Sequence, residues 1–361
     1  FLVFSFVLNA DTKALPPVVQ EDLDTFISGV MAAQHIPGLA ACIVKKKRVI
    51  WKGTYGYANF EKNLPVTEDT LFQLASLSKL ATMTAIMKLY EDGKFDLHDD
   101  IDDYLPYSVR SPLFPDTPIT FYMLLTHTSG LKDNWAVMPY YMGSDSPIPL
   151  SDYTYNYLVP GGSSYDPDLN WWAIEPGSER IYNNNAYVLI AYLVETISGK
   201  TFADYCDEFV FAPLSMNTTT WFLAGLNLDT LAMPYYFNGT TFVPYGYYGY
   251  SDYPAGLLKT SIEELSHFLA AYMWRGKYQT GRVLKPQTVD LILTHHIPAY
   301  GGLGFQGLAW IYYLGEWGHS GGDAGVATTI YFDPETEVGI IVLTNGESHT
   351  GVKEVKAKLL E

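Results

Sequence analysis

The stretch FQLASLSKLATMTAIMKLYEDG, Phe72 to Gly93, decides how the rest of the chain is read. Its apolar residues recur at helical spacing and Gly93 supplies a stop, so the run predicts a buried helix. Ser76, Lys79, Met83, Ile86 and Tyr90 fall three or four residues apart on one stripe, and one of them is a lysine. At i and i+3, Ser76 and Lys79 emerge on one face of the first helical turn. A desolvated lysine near a helix N-terminus loses its proton more easily, because burial and the positive end of the helix dipole both disfavour the ammonium. A neutral amine beside a hydroxyl is an activated nucleophile pair. The plain alternative is a capping serine followed by a snorkelling lysine. Spacing alone does not choose between them, since Ser129-Gly130-Leu131-Lys132 repeats the pattern in a loop-like context without helical register.

Two later elements add weight. Tyr182-Asn183-Asn184 follows the turn EPGSER and precedes a helical pattern, a position from which a phenol and an amide reach another element. Tyr57-Ala58-Asn59 and Tyr236-Phe237-Asn238 fit the same three residues and show how weak it is alone. His319-Ser320-Gly321-Gly322 follows Trp317-Gly318 between predicted strands, and its glycines let backbone N–H groups approach a substrate closely. His349-Thr350-Gly351 is the decoy for that pattern. What is specific is the order: a helix-borne S-x-x-K, then Y-x-N after a Pro-Gly turn, then H-x-G beside a late strand.

With these motifs the sequence resembles the serine β-lactamase and penicillin-binding-protein superfamily, in the class C-related branch of esterases, D-aminopeptidases and D,D-carboxypeptidase-like proteins. TLFQLASLSK, LLTHTSGL, EPGSERIYNNNAYVLIAYLVETISGKTF, PAGLLKTSIEEL and WGHSGG match its landmarks in order, from about residue 35 to 345. The resemblance implies an α/β sandwich with a mainly antiparallel sheet built from both termini and an inserted all-helical lobe. It implies Ser76 as acylated nucleophile, with Lys79 and Tyr182 as proton-shuttling base and acid. Asn184 would hydrogen-bond the substrate, and the N–H groups of Ser76 and Gly322, beside Gly321, would form the oxyanion hole. His319 stands where β-lactamases usually carry a lysine that helps hold the drug's carboxylate. A histidine is mostly neutral at pH 7, which favours esters or D-amino-acid peptides.

Composition agrees with a globular enzyme. The chain has 361 residues, 48% hydrophobic and 15% aromatic, enough for a large core, and a net charge of −17 that argues against nucleic-acid or anionic-membrane partners. Cys42 and Cys206 form no disulfide framework and read as free buried thiols. The opening FLVFSFVLNA resembles the apolar core of a secretory signal, with Ala10 or Ala14 near a cleavage site. Residues 1–14 are therefore expected to be a signal remnant of a secreted or periplasmic protein, and no integral membrane span is expected in the rest. Strand-like runs near both ends and helices between them predict one domain over 15–361: an α/β lobe at about 15–74 and 255–361, and a mostly helical lobe at about 75–254.

Rival chemistries are weaker. GHSGG, Gly318 to Gly322, fits a G-x-S-x-G nucleophile elbow with Asp333 and His349 following, yet the next residues read as strand where an elbow needs a helix. No H-E-x-x-H occurs, so neither metal nor cofactor is expected. The expected activity is hydrolysis of short-chain acyl esters; D-stereospecific peptidase or D,D-carboxypeptidase, β-lactamase, and a non-catalytic penicillin-binding homologue are the alternatives. Partners are small-molecule esters, amides or peptides, selected by the loops Trp135 to Asn170 and Pro234 to Pro254.

Overall fold

In the computed structural model, which describes residues 17–361, period-two alternation along the strands sets the architecture. The chain enters as helix α1 (Pro17–Ala33) and the hairpin β1 (Gly38–Lys45) and β2 (Arg48–Asn59), followed by β3 (Leu64–Pro65) and β4 (Leu71–Gln73). Helix α2 (Ser78–Glu91) opens a helical insertion with α3 (Phe121–Leu125), α4 (Leu150–Leu158), α5 (Asn185–Ser198) and α6 (Phe202–Cys206). Strand β5 (Lys259–Ser261) returns to pair with β4, and leads into α7 (Ile262–Met273) and α8 (Pro286–Ile292). The last segment is β6 (Ile297–Ala299), β7 (Gly304–Gln306), β8 (Ile311–Tyr313), β9 (Glu316–Asp323), β10 (Val326–Asp333), β11 (Val338–Thr344) and helix α9 (His349–Leu359).

Nine of these strands form one sheet in the order β6-β7-β8-β9-β10-β11-β1-β2-β3. Strands from the two ends meet in its middle, where β1 runs antiparallel to β11 with Leu39 opposite Thr344 and Lys45 opposite Val338. Along β1, Leu39, Ala41 and Ile43 join one core while Ala40, Cys42 and Val44 join the other. The first face is covered by α1 and α9, through Leu23, Ile27, Val30, Val352, Val355 and Leu359. The second face meets α7 and the inserted helices. An α/β sandwich with an inserted helical portion follows, as the sequence predicted. Both cysteines are free and buried. Among the described residues no helix is long and apolar enough to cross a membrane. The apolar stretch 1–14, expected to be a signal remnant, lies outside the described residues.

Two expectations need correction. Phe72 to Gly93 is not one helix: Leu71–Gln73 is extended, Ala75 takes φ +49°, a 3₁₀ turn spans Ala75–Leu77, and only then does α2 begin. The strand forms because Phe72 and Gln73 pair with Thr260 and Lys259, a partner far along the chain. Nor does α2 carry a stripe, since every residue from Ser78 to Met87 is buried. Its hydroxyls are absorbed by hydrogen bonds, as when Thr82 donates to the Pro254 carbonyl at 2.7 Å. The second correction concerns His319 to Gly322, which lie within β9 and not between strands.

Candidate active site

Ser76 sits on the 3₁₀ turn between β4 and α2, immediately after Ala75. A non-glycine residue at positive φ is strained by roughly 1–3 kcal/mol and persists where its surroundings over-determine it. Here the Leu74 N–H donates to the Leu258 carbonyl at 2.9 Å, and the Leu74 carbonyl accepts from Thr328 Oγ1 at 2.7 Å.

Lys79, one turn on, has no exposed surface. Its Nζ lies 3.3 Å from Ser76 Oγ, 2.7 Å from Asn184 Oδ1 and 2.8 Å from the Ala255 carbonyl. Those neighbours suit both protonation states. As an ammonium, Nζ donates three times; as an amine, it donates to Asn184 and Ala255 and turns its lone pair toward the Ser76 hydroxyl. Burial without a partner would be costly, but here every proton is received.

Asn184 is fixed in turn by Asp133. The Asp133 carboxylate accepts the Asn184 backbone N–H at 2.9 Å, the Asn184 side-chain amide at 2.9 Å and the Asn185 side-chain amide at 2.9 Å, capping α5 from another segment. His127 holds the preceding residues: its carbonyl accepts from the Ile181 N–H at 2.8 Å and its Nδ1 from the Asn183 N–H at 3.3 Å. Tyr182 is 38% exposed, with its ring centroid 5.0 Å from Lys79 Nζ, 4.4 Å from the His127 ring and 6.3 Å from the His319 ring.

His319 is buried, with Nδ1 2.8 Å from the Ser320 carbonyl and no hydrogen-bond partner for Nε2 among the described residues. Burial, then the charge of Lys79, push its pKa down to about 3, with Arg180 adding to the effect. The ring is neutral, carrying its proton on Nδ1. Gly321 is required by close approach: a Cβ there would stand 2.4 Å from the Leu74 carbonyl and from Thr328 Oγ1. A Cβ on Gly322 would stand 2.6 Å from the His349 ring. β9 thus lies directly against the serine turn because Gly321 lacks a side chain, and against His349 of α9 because Gly322 does.

Between them opens a cleft of about 80 Å³ bordered by Ser76, Asn184, Gly322, Asp252 and Asp323, with Trp135, Tyr140 and Tyr250 among its walls. The structure therefore brings Ser76, Lys79, Tyr182, Asn184, His319, Gly321 and Gly322 into one region. It separates the decoys. Ser320 projects to the other face of β9, its Oγ 3.3 Å from Thr329 Oγ1 on an extended strand, so the elbow arrangement is absent. Lys132 turns to the Asp168 carbonyl at 3.2 Å and lies over the Trp172 ring. Sequence reasoning does not reach Asp133, His127, Asp252 or Asp323. The first two belong to or follow LLTHTSGL, so that motif is the available signal. Among the described residues, no group of three or more His, Cys, Asp or Glu is placed to hold a metal ion.

Comparison with known proteins agrees with this geometry. The sequence model of the Beta-lactamase family matches residues 23–360. Protein flp of Staphylococcus aureus (strain MW2) is 26% identical over 251 residues, 69% of this chain and 48% of that protein, so the chain spans about half the length of the curated relatives it matches. The octameric penicillin-binding protein homologue from Pyrococcus abyssi is 26% identical, with TM-score 0.74 over 94% of this chain and 77% of that one. EstCE1, a hydrolase with promiscuous acyltransferase activity, shares the fold at TM-score 0.77 and 18% identity, covering 95% of this chain and all of its own.

Proposed function

The chain belongs to the Beta-lactamase family, within the serine β-lactamase and penicillin-binding-protein superfamily, and on that premise we propose that it hydrolyses short-chain acyl esters through an acyl-enzyme on Ser76. The observation that carries the reading is the position of Lys79 Nζ, 3.3 Å from Ser76 Oγ while anchored on Asn184 Oδ1. In the amine form Lys79 takes the serine proton as Oγ attacks the ester carbonyl carbon. The oxyanion that forms is received by the N–H groups of Ser76 and Gly322, an arrangement worth a few kcal/mol of barrier. Collapse breaks the bond to the alkoxide, which leaves with a proton delivered through Lys79 and Tyr182. Water then adds to the acyl carbon, giving up a proton to the same pair; collapse breaks the bond between Ser76 Oγ and the acyl carbon, that proton returns to Oγ, and the carboxylic acid leaves.

The neutral His319 weighs against β-lactams as preferred substrates, because it offers no charge to a carboxylate. Labelling with a fluorophosphonate probe and mapping of the modified peptide tests the reading, together with 4-nitrophenyl butanoate turnover. The expected adduct is on Ser76, and Ser76→Ala loses both label and turnover. An adduct on Ser320, or a burst of acylation with no further turnover, would replace this reading.

A further inference from the structure

The cleft beside Ser76 is unusual in what it lacks. Its tyrosine and side-chain amide donors are already spent inward: Tyr140 and Tyr250 donate to Asp323 at 2.7 and 2.8 Å, and the Asn184 amide donates to Asp133. Asp323 receives, in addition, the Ala324 N–H at 2.8 Å and Gln73 Nε2 at 3.3 Å. Asp252 is different. It is 6% exposed and borders the cleft, yet apart from its own backbone N–H no described residue donates to its carboxyl oxygens. A carboxylate largely withdrawn from water is poorly solvated unless a donor or a cation meets it. Burial foremost, with Asp133 and Asp323 adding and Lys79 opposing, pushes its pKa up to about 7. A cation arriving beside Asp252 would supply the missing partner.

The walls favour the same ligand. Tyr140 and Tyr250 meet edge to face at 5.5 Å, and Trp135, 65% exposed, stands at the rim. Aromatic faces attract a desolvated cation through the ring quadrupole. Two acidic side chains, Asp252 and Asp323, border the cleft and Asp133 lies behind it on Asn184, whereas the one basic side chain nearby, Lys79, already donates to Asn184 and Ala255. Neither Tyr182 nor His319 borders this cleft. Since the leaving group departs toward Tyr182, the cleft takes the acyl side of the substrate.

We infer that the acyl group this site prefers is short and carries a cationic nitrogen, seated at Asp252 and Asp323 among the rings of Trp135, Tyr140 and Tyr250. This rests on the hydrolase reading above for the assignment of the acyl side, while recognition of the cation can be measured without turnover.

The test uses a pair of probes that differ only in charge. For wild type, kcat/KM for 4-nitrophenyl 3-aminopropanoate is expected to exceed that for 4-nitrophenyl butanoate at least tenfold. The ratio falls near one in Asp252→Asn and is restored in Asp252→Glu. In parallel, Ser76→Ala is titrated by NMR with methyl 3-aminopropanoate and methyl butanoate; the cation should bind at least tenfold more tightly, and the double variant Ser76→Ala/Asp252→Asn should lose that preference. If the cation binds no better than its isostere while butanoate esters are hydrolysed, the inference is overturned and the hydrolase reading stands. Selective binding of the cation without hydrolysis of either ester would uphold the cation site and overturn the hydrolase reading. Failure of both measurements overturns both.

Discussion

Among the described residues, two lysines lie inside the protein, and they do different things. Lys259, on β5, donates to the carbonyls of Trp221 and Leu257, both at 2.9 Å, and burial pushes its pKa down to about 8. Two acceptors match the two protons of a neutral amine, and no hydroxyl or cleft adjoins it. Lys79 has three acceptors, one of them a serine hydroxyl that borders the cleft. Both side chains are buried, but only Lys79 has a hydroxyl beside it to deprotonate. Burial shifts a proton equilibrium; the partner and the opening decide whether chemistry follows.

The sharpest way to break this contrast is to remove each amine in turn. Lys79→Ala is expected to lower kcat for 4-nitrophenyl butanoate by roughly 10²–10⁴-fold, the usual range for a positioned proton-transfer group. Lys259→Met should leave kcat within about threefold, since a residue outside the reacting region acts only through packing. Steady-state kinetics on both variants decides it; equal losses would show that Lys79 is structural too.

A second cut goes through the support of Lys79. Asp133→Ala leaves the backbone and side-chain amides of Asn184 and Asn185 without their acceptor. Each buried donor left unpaired costs about 1–3 kcal/mol, so thermal unfolding should drop by several degrees. Ester turnover should fall further than stability alone explains, as Asn184 no longer holds Nζ.

Lys259 gives a smaller effect with a defined sign. Its folded pKa lies below the unfolded value of about 10.4. Between about pH 8 and 10.4 the unfolded chain binds the extra proton, so stability rises with pH across that window and the gain is lost as pH falls through 8. The difference in Tm between wild type and Lys259→Met should therefore change across that window and be flat below it. The smallest effect belongs to His319, depressed to about 3. Its ring carbon proton should show no NMR titration between pH 5 and 8, whereas a midpoint near 6.5 would mean the ring is not sheltered as described.

What could be read from the sequence was local. S-x-x-K lies within one turn, so its geometry needs nothing beyond the helix that follows. The strand-like runs near both ends become β1, β10 and β11, buried along nearly their whole length, and helices form between them as expected. What stayed hidden was non-local. Phe72 and Gln73 are a strand because of residues 259 and 260. The glycines of β9 look like a loop until Leu74 and His349 are seen pressing against them. Asp133 and Asp252 are single carboxylates in loops, with no period to mark them; only the donors around the first, and their absence around the second, give them meaning.

The pairing of β1 with β11 also fixes when the serine turn can be assembled. Ser76 and Lys79 are synthesised well before the strand that walls their turn, Glu316–Asp323, and before the partner that centres the sheet, Val338–Thr344. Contacts so distant in sequence form late in folding. The serine turn is thus made well before the strand it packs against, and the proposed hydrolysis waits on those later strands.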